Sequence, residues 1–115
     1  MHIYPENEKS IHLTYRWKLF LDDLREPKSD DFVIARNVKK AKELIKKKGF
    51  PSYMSLDHDL GKNEPTGYDF VKWIVNEYKD KELPEFDFNI HSANPVGAKN
   101  MELLLNNFIK HKRDS

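Results

Sequence analysis

Tyr53-Met54-Ser55-Leu56-Asp57-His58-Asp59-Leu60-Gly61 is the stretch whose reading decides the fold. Its first four residues form a short apolar run between turn-forming and acidic neighbours, the pattern of a strand buried within a parallel sheet. The run gives way to acid, imidazole, acid and then, after Leu60, glycine, and no strand requires that sequence in order to fold. Leu19-Phe20-Leu21 repeats the arrangement and ends in Asp22-Asp23. Phe86, Phe88 and Ile90 alternate with Asp87 and Asn89, so one face of that strand is wet, as on a sheet edge, and it ends in His91-Ser92-Ala93-Asn94-Pro95. Phe32-Val33-Ile34-Ala35 supplies a fourth strand.

Helical patterns separate the later strands. Val38, Ala41, Leu44 and Ile45 share a face, with Asn37 as N-cap, lysines in the last turn and Gly49 as the stop. Phe70, Val71, Ile74, Val75 and Tyr78 make a second stripe, opened by Thr66 with Asp69 in capping-box spacing. Ala98, Met101, Leu105 and Phe108 make a third, with Asn94 as cap and Pro95 at the first helical position. Strands alternating with helices imply right-handed crossovers and a parallel sheet. The expectation is an α/β three-layer sandwich with strand order 2-1-3-4. Residues 1–17 read as an N-terminal extension in which Ile11 to Trp17 alternates and can form an extra strand. The domain proper is read as residues 18–110, with 111–115 a charged tail that frays.

Composition narrows the function. A chain of 115 residues holds one domain, and 34% charged residues with a net charge of +1 give a balanced surface with no footprint for bulk nucleic acid. There are no cysteines, hence no thiolate metal site or disulfide. No run of about 20 apolar residues is present to span a membrane. A soluble, cytoplasmic protein is expected.

In open parallel sheets ligands bind beyond the carboxyl ends of the strands, where the strand order reverses. For order 2-1-3-4 that point lies between the first and third strands, flanked by Asp22, Asp23, Asp57, His58 and Asp59, with His91 and Ser92 arriving on the fourth. Carboxylates so crowded call for a cation or for raised pKa values, and an oxygen-rich set suits Mg²⁺ or Mn²⁺. Asp22, Asp23 and Asp57 are the expected metal ligands, with Asp59 orienting the site. The helix start at Asn94-Pro95-Val96-Gly97 offers backbone N–H groups to an anion, with Lys99 one turn further and Arg25 and Arg36 within reach. Ser92, Asn94, Gly97, Arg25 and Lys99 are therefore candidate phosphate holders, and His58 and His91 the candidate base and acid. Phosphate ester chemistry accommodates all of these groups.

Singly, each feature has a plainer explanation. Acids after strands cap turns, His91 can be structural, Asn94-Pro95 is first of all a good helix start, and Gly61 and Gly67 serve turns. Trp17, Trp73 and Tyr78 are packing residues, whereas Tyr68 can stack on a base. It is their convergence on one crevice that argues for a site.

The acidic pair Asp22-Asp23, Asp57 and Ser92-Ala93 resemble the phosphoacceptor receiver domains of two-component signalling, with their flavodoxin-like fold. The longer segments Leu19 to Asp23 with Arg25 and Pro27, Ser55 to Gly61, Thr66-Gly67-Tyr68-Asp69 and His91 to Gly97 are similar to the cyclic-phosphate processing receiver domains. That resemblance covers roughly Lys18 to Phe108. It implies a metal-assisted hydrolase that opens a cyclic phosphate on a nucleotide or ADP-ribose-like molecule, with Asp57, His58 and His91 as catalytic residues. Two alternatives stay open: a module that binds a cyclic nucleotide without turnover, and a degenerate receiver acting as an interaction domain. Against the latter, no Met-Pro pair follows Asp57 and no fifth strand brings a lysine.

Overall fold

A computed structural model describes residues 16–114. Four strands, β1 (Lys18–Leu21), β2 (Phe32–Ala35), β3 (Tyr53–Leu56) and β4 (Asp87–Ile90), form one parallel sheet in the order β2-β1-β3-β4. Three helices follow the later strands: α1 (Val38–Lys48), α2 (Gly67–Tyr78) and α3 (Pro95–Asp114). Strand order, parallel pairing and all three helices agree with the sequence reading, and the architecture is a receiver-like α/β fold.

The helix ends are built by the residues expected of them. The Asn37 side chain accepts from the Lys40 N–H, and Gly49 ends α1 at φ 87°, a conformation that favours glycine. Thr66 and Asp69 close a full capping box at α2. Asn94 accepts the Gly97 N–H at 2.9 Å behind Pro95. The end of the chain differs from expectation, because α3 runs to Asp114 instead of fraying after Lys110. Lys112 ties this last turn down by donating to the carbonyls of Lys79 and Lys81.

The core lies on one side of the sheet. Leu19, Leu21, Ala35, Met54 and Leu56 pack in one cluster with the buried faces of all three helices: Val38, Ala41, Leu44 and Ile45 of α1, Phe70, Val71 and Ile74 of α2, and Met101, Leu105 and Phe108 of α3. The reason is topological. The β2-α1-β3 and β3-α2-β4 crossovers move across the sheet in the same direction, so right-handedness places both helices on the same face. The β1-to-β2 step moves the other way, and a helix there would cover the second face. Residues 22–31, with Pro27 among them, make that connection as turns and bends. Among the described residues all three helices therefore lie on one face of the sheet. Alternation along the strands puts Phe20, Phe32, Ile34, Tyr53, Ser55 and Asn89 on the opposite face, which carries no helix among the described residues.

The extra strand expected over Ile11 to Trp17 falls mostly outside the described residues. Arg16 and Trp17 are described, and they clamp the amino end of the sheet. The Arg16 guanidinium donates to the carbonyls of Pro51 and Glu85 at 2.8 and 2.7 Å, and the Trp17 indole donates to the Gly49 carbonyl at 2.8 Å. No helix among the described residues is long and apolar enough to cross a membrane.

Candidate functional site

The parallel ladder continues one residue past the strand ends. The Asp22 N–H donates to Ala35, the Asp57 N–H to Leu21 and the His91 N–H to Leu56. These bonds carry the strand alternation onward, so Asp22, Asp57 and His91 leave the sheet in phase with Phe20, Ser55 and Asn89. One carboxylate oxygen from each aspartate and one ring nitrogen of His91 lie within 4.8 Å of one another.

Asp22 is the most constrained of the three. Its side chain is 1% exposed, Oδ1 accepts the N–H groups of Leu24 and Arg25 at 2.9 and 2.8 Å, and Oδ2 meets His91 Nε2 at 2.9 Å. Burial pushes its pKa up, but the Arg25 and Leu24 amides and the His91 imidazole outweigh burial and hold it below the ordinary carboxylate value. Asp57 has weaker support. Oδ1 accepts the His58 N–H at 2.8 Å and the Ser92 hydroxyl bonds to the same carboxylate. Burial first, and the Asp22 charge second, raise its pKa. The pair is thus split: Asp22 holds the negative charge firmly, and Asp57 is the carboxylate that a cation would relieve.

His91 has both ring nitrogens engaged. Beyond Asp22, its Nδ1 meets Ser55 Oγ at 2.7 Å, and the ring stacks on Phe20 with centroids 4.7 Å apart and 6° between planes. A chain Asp22–His91–Ser55 results, spanning β1, β4 and β3. Ser55 is not among the site residues expected from sequence. The available signal is a serine within an apolar strand, two residues before Asp57 and therefore on the same face.

His58 is held differently. Its Nδ1 bonds to Asp59 Oδ1 at 2.7 Å, which is the first cause of the lowered Asp59 pKa, and no protein group among the described residues bonds to Nε2. The ring packs on Gly97 so closely that a Cβ there would stand 2.5 Å from Cδ2 and Cγ. Asn94 steadies Asp59 from the far side through its Nδ2 at 3.4 Å. On the other flank, Gly67 admits the backbone of Asp57, whose carbonyl would lie 2.0 Å from an added Cβ.

Asp22, Asp23, Arg25, Asp57, Asp59 and Thr66 line a crevice of about 530 Å³ at the expected switch point. Not every candidate comes together there. Asp23 lines the crevice but lies outside the Asp22, Asp57 and His91 group. Lys99 pairs with Glu102 at 3.7 Å and borders a separate depression beside Phe88 and Ile90. The Gly97 N–H, expected to hold phosphate, is spent on the Asn94 cap, and Ser92 Oγ accepts the Asn94 N–H at 3.0 Å. Arg25 does reach the site: Nη1 donates to the His91 carbonyl at 2.8 Å and Nε pairs with Asp22 Oδ2 at 4.0 Å, which leaves Nη2 without a partner among the described residues. Arg36 donates to the carbonyls of Asp22 and Arg25 at 3.1 and 2.6 Å and so fixes the loop after β1. Tyr68 packs against the core with Lys72 over its ring and does not line the crevice.

No curated protein and no solved structure matches the chain closely enough to count as a relative. One family model does match, that of the cyclic-phosphate processing receiver domain, over residues 17–107. The match takes in every strand, α1, α2 and most of α3, together with the crevice and its carboxylates. The chain belongs to the cyclic-phosphate processing receiver domain family.

Proposed function

We propose that this domain opens a cyclic phosphate on a nucleotide or ADP-ribose-like molecule by hydrolysis, with Mg²⁺ or Mn²⁺ in the crevice. The observation that carries the reading is the meeting of Asp22, Asp57 and His91 at the switch point, in a family tied to cyclic-phosphate processing. The donor set fits a hard divalent ion: two carboxylates, of which Asp57 carries a pKa raised by burial and by its neighbour's charge. Asp22 and Asp57 would hold the ion, with His91 orienting Asp22 from behind. When bound, it supplies Lewis-acid neutralisation of phosphate charge.

The remaining steps belong to the chain. Arg25 binds a phosphate oxygen through the guanidinium donors that His91 and Asp22 leave free. Asp59 fixes His58 with Nδ1 protonated, so Nε2 carries the lone pair and accepts a proton from the attacking water. A P–O bond forms from that water, one ring P–O bond breaks, and the departing oxygen takes a proton from solvent. His91, expected as the acid, is a positioning residue in this reading because both of its nitrogens are committed. The test is phosphorus NMR with nucleoside 2′,3′-cyclic phosphates and ADP-ribose 1″,2″-cyclic phosphate, with and without Mg²⁺ or Mn²⁺, beside Asp57→Asn. Conversion to a monoester by the parent protein alone is expected. A perturbed ligand resonance without conversion would replace the enzyme with a binding module.

A further inference from the structure

The sheet face opposite the three described helices carries a run of touching aromatic rings. Phe20 and Phe32 meet edge to face at 5.8 Å, Phe32 and Tyr53 at 5.9 Å, and Phe20 lies flat beneath His91. These rings line a hollow of about 370 Å³, within the roughly 300–1,000 Å³ of small-molecule clefts. Phe20 is buried beneath His91, whereas Phe32 and Tyr53 are half-buried and turn ring surface into the hollow.

Three features say what would bind. The hollow adjoins the crevice, because Arg25 lines both, and His91 on its wall is bonded to Asp22. Its charged rim is cationic at Arg25 and Lys28, with Glu26 between them paired to Arg36, so an anionic ligand is favoured. Among the described residues, the Asn89 carboxamide and Tyr53 hydroxyl have no hydrogen-bond partner, which leaves donors and an acceptor beside the rings. A flat apolar ring with a hydrogen-bonding edge, attached to a phosphate, meets all three conditions.

We propose that this face is the platform for the nucleobase of the cyclic phosphate, stacked on Tyr53 beside Phe32 and read at its edge by Asn89. The inference rests on the cyclic-phosphate reading and deepens it: the ligand is a nucleoside cyclic phosphate and not a base-free sugar or polyol one. Stacking tolerates any base, whereas a carboxamide suits the paired donor and acceptor of a base edge.

The test uses three probes with the full chain: adenosine 2′,3′-cyclic phosphate, methyl riboside 2,3-cyclic phosphate and adenosine, titrated by calorimetry and by NMR of the aromatic side chains. The nucleotide is expected to bind about tenfold tighter than the base-free ester, the scale of one stacked base. It should shift the Phe32 and Tyr53 ring signals. Tyr53→Ser should remove the tenfold advantage and leave the base-free ester unchanged. Asn89→Ala, at an exposed position, repeats the test should Tyr53→Ser fail to fold. Equal affinity for the two esters overturns the platform while leaving cyclic-phosphate binding intact. Binding of adenosine alone, with shifts at the same rings, supports the platform and overturns the cyclic-phosphate reading. No binding of any probe overturns both. Nuclear Overhauser contacts from these rings to residues 1–15 or to a second copy in the free protein would also overturn the platform, since the face would then be covered.

Discussion

Replacing Gly97 with alanine separates the site from the fold. Gly97 sits in the first turn of α3 without a positive φ, so the backbone accepts a Cβ, and alanine favours a helix interior over glycine by about 1 kcal/mol. The obstacle is His58, whose Cγ and Cδ2 would lie 2.5 Å from the new methyl. Carbon contacts become favourable at about 3.5 Å, so the ring must retreat by about 1 Å. Cγ is the root of the ring, and no rotation about χ2 moves it away. A retreat of that size breaks the 2.7 Å bond to Asp59 that fixes the tautomer. Overpacking costs about 1–3 kcal/mol, which the helix gain offsets in part, leaving about 0–2 kcal/mol of net destabilisation. A misplacement of about 1 Å in a proton carrier costs about 100-fold in rate. Turnover of a nucleoside cyclic phosphate followed by phosphorus NMR should therefore collapse in Gly97→Ala, while urea unfolding shows a folded, cooperative domain. The imidazole ¹⁵N signals of His58 should lose the pattern of a single tautomer. Full turnover with unchanged His58 signals would refute the argument.

Gly67→Ala should act on the fold instead. Its Cβ would meet the Asp57 carbonyl at 2.0 Å and Met101 Cε at 2.7 Å, and the backbone atom cannot yield cheaply, so urea denaturation should show a loss of about 2–4 kcal/mol. Asp57→Asn, measured without divalent ions at neutral pH, should melt higher than the parent. Burial and the Asp22 charge make ionised Asp57 unfavourable in the folded state, so its acid form stabilises the fold as pH falls, and the asparagine mimics that form; a lower melting point would contradict the assignment. Asp69 runs the other way. The Thr66 N–H is the main cause of its lowered pKa, so its contribution is present above the unfolded carboxylate value and lost as pH falls through the folded one. Asp69→Asn should flatten that part of the stability curve in pH-dependent urea melts.

The strands, helices and caps are legible in the sequence because each rests on local chemistry: period, Asn37, Thr66 with Asp69, Asn94 with Pro95. The switch point follows from topology, and with it Asp22, Asp57 and His91. That all three described helices share one face is not legible, because Phe20, Phe32 and Tyr53 make both faces of their strands apolar. The division of labour between the histidines is also hidden. His58 and His91 each stand near an acid in sequence or in space, and only the three-dimensional pairing shows that one keeps a free nitrogen while the other spends both. Gly97 stands out in sequence for its amide, yet its lack of a side chain is what the site uses.

The loop after β1 carries one more consequence. Arg36 holds it through the carbonyls of Asp22 and Arg25, and Arg25 in turn reaches the His91 carbonyl. A carbonyl bears no net charge, so these grips are dipolar and resist screening, whereas the attraction of Arg25 for a phosphate weakens as ions accumulate. Ionic strength should therefore loosen the ligand more than the loop, since the carbonyl grips persist when the exposed Arg36–Glu26 pair is screened. Added salt then acts on occupancy first, and affinity can be tuned across a titration while the loop keeps most of its hold.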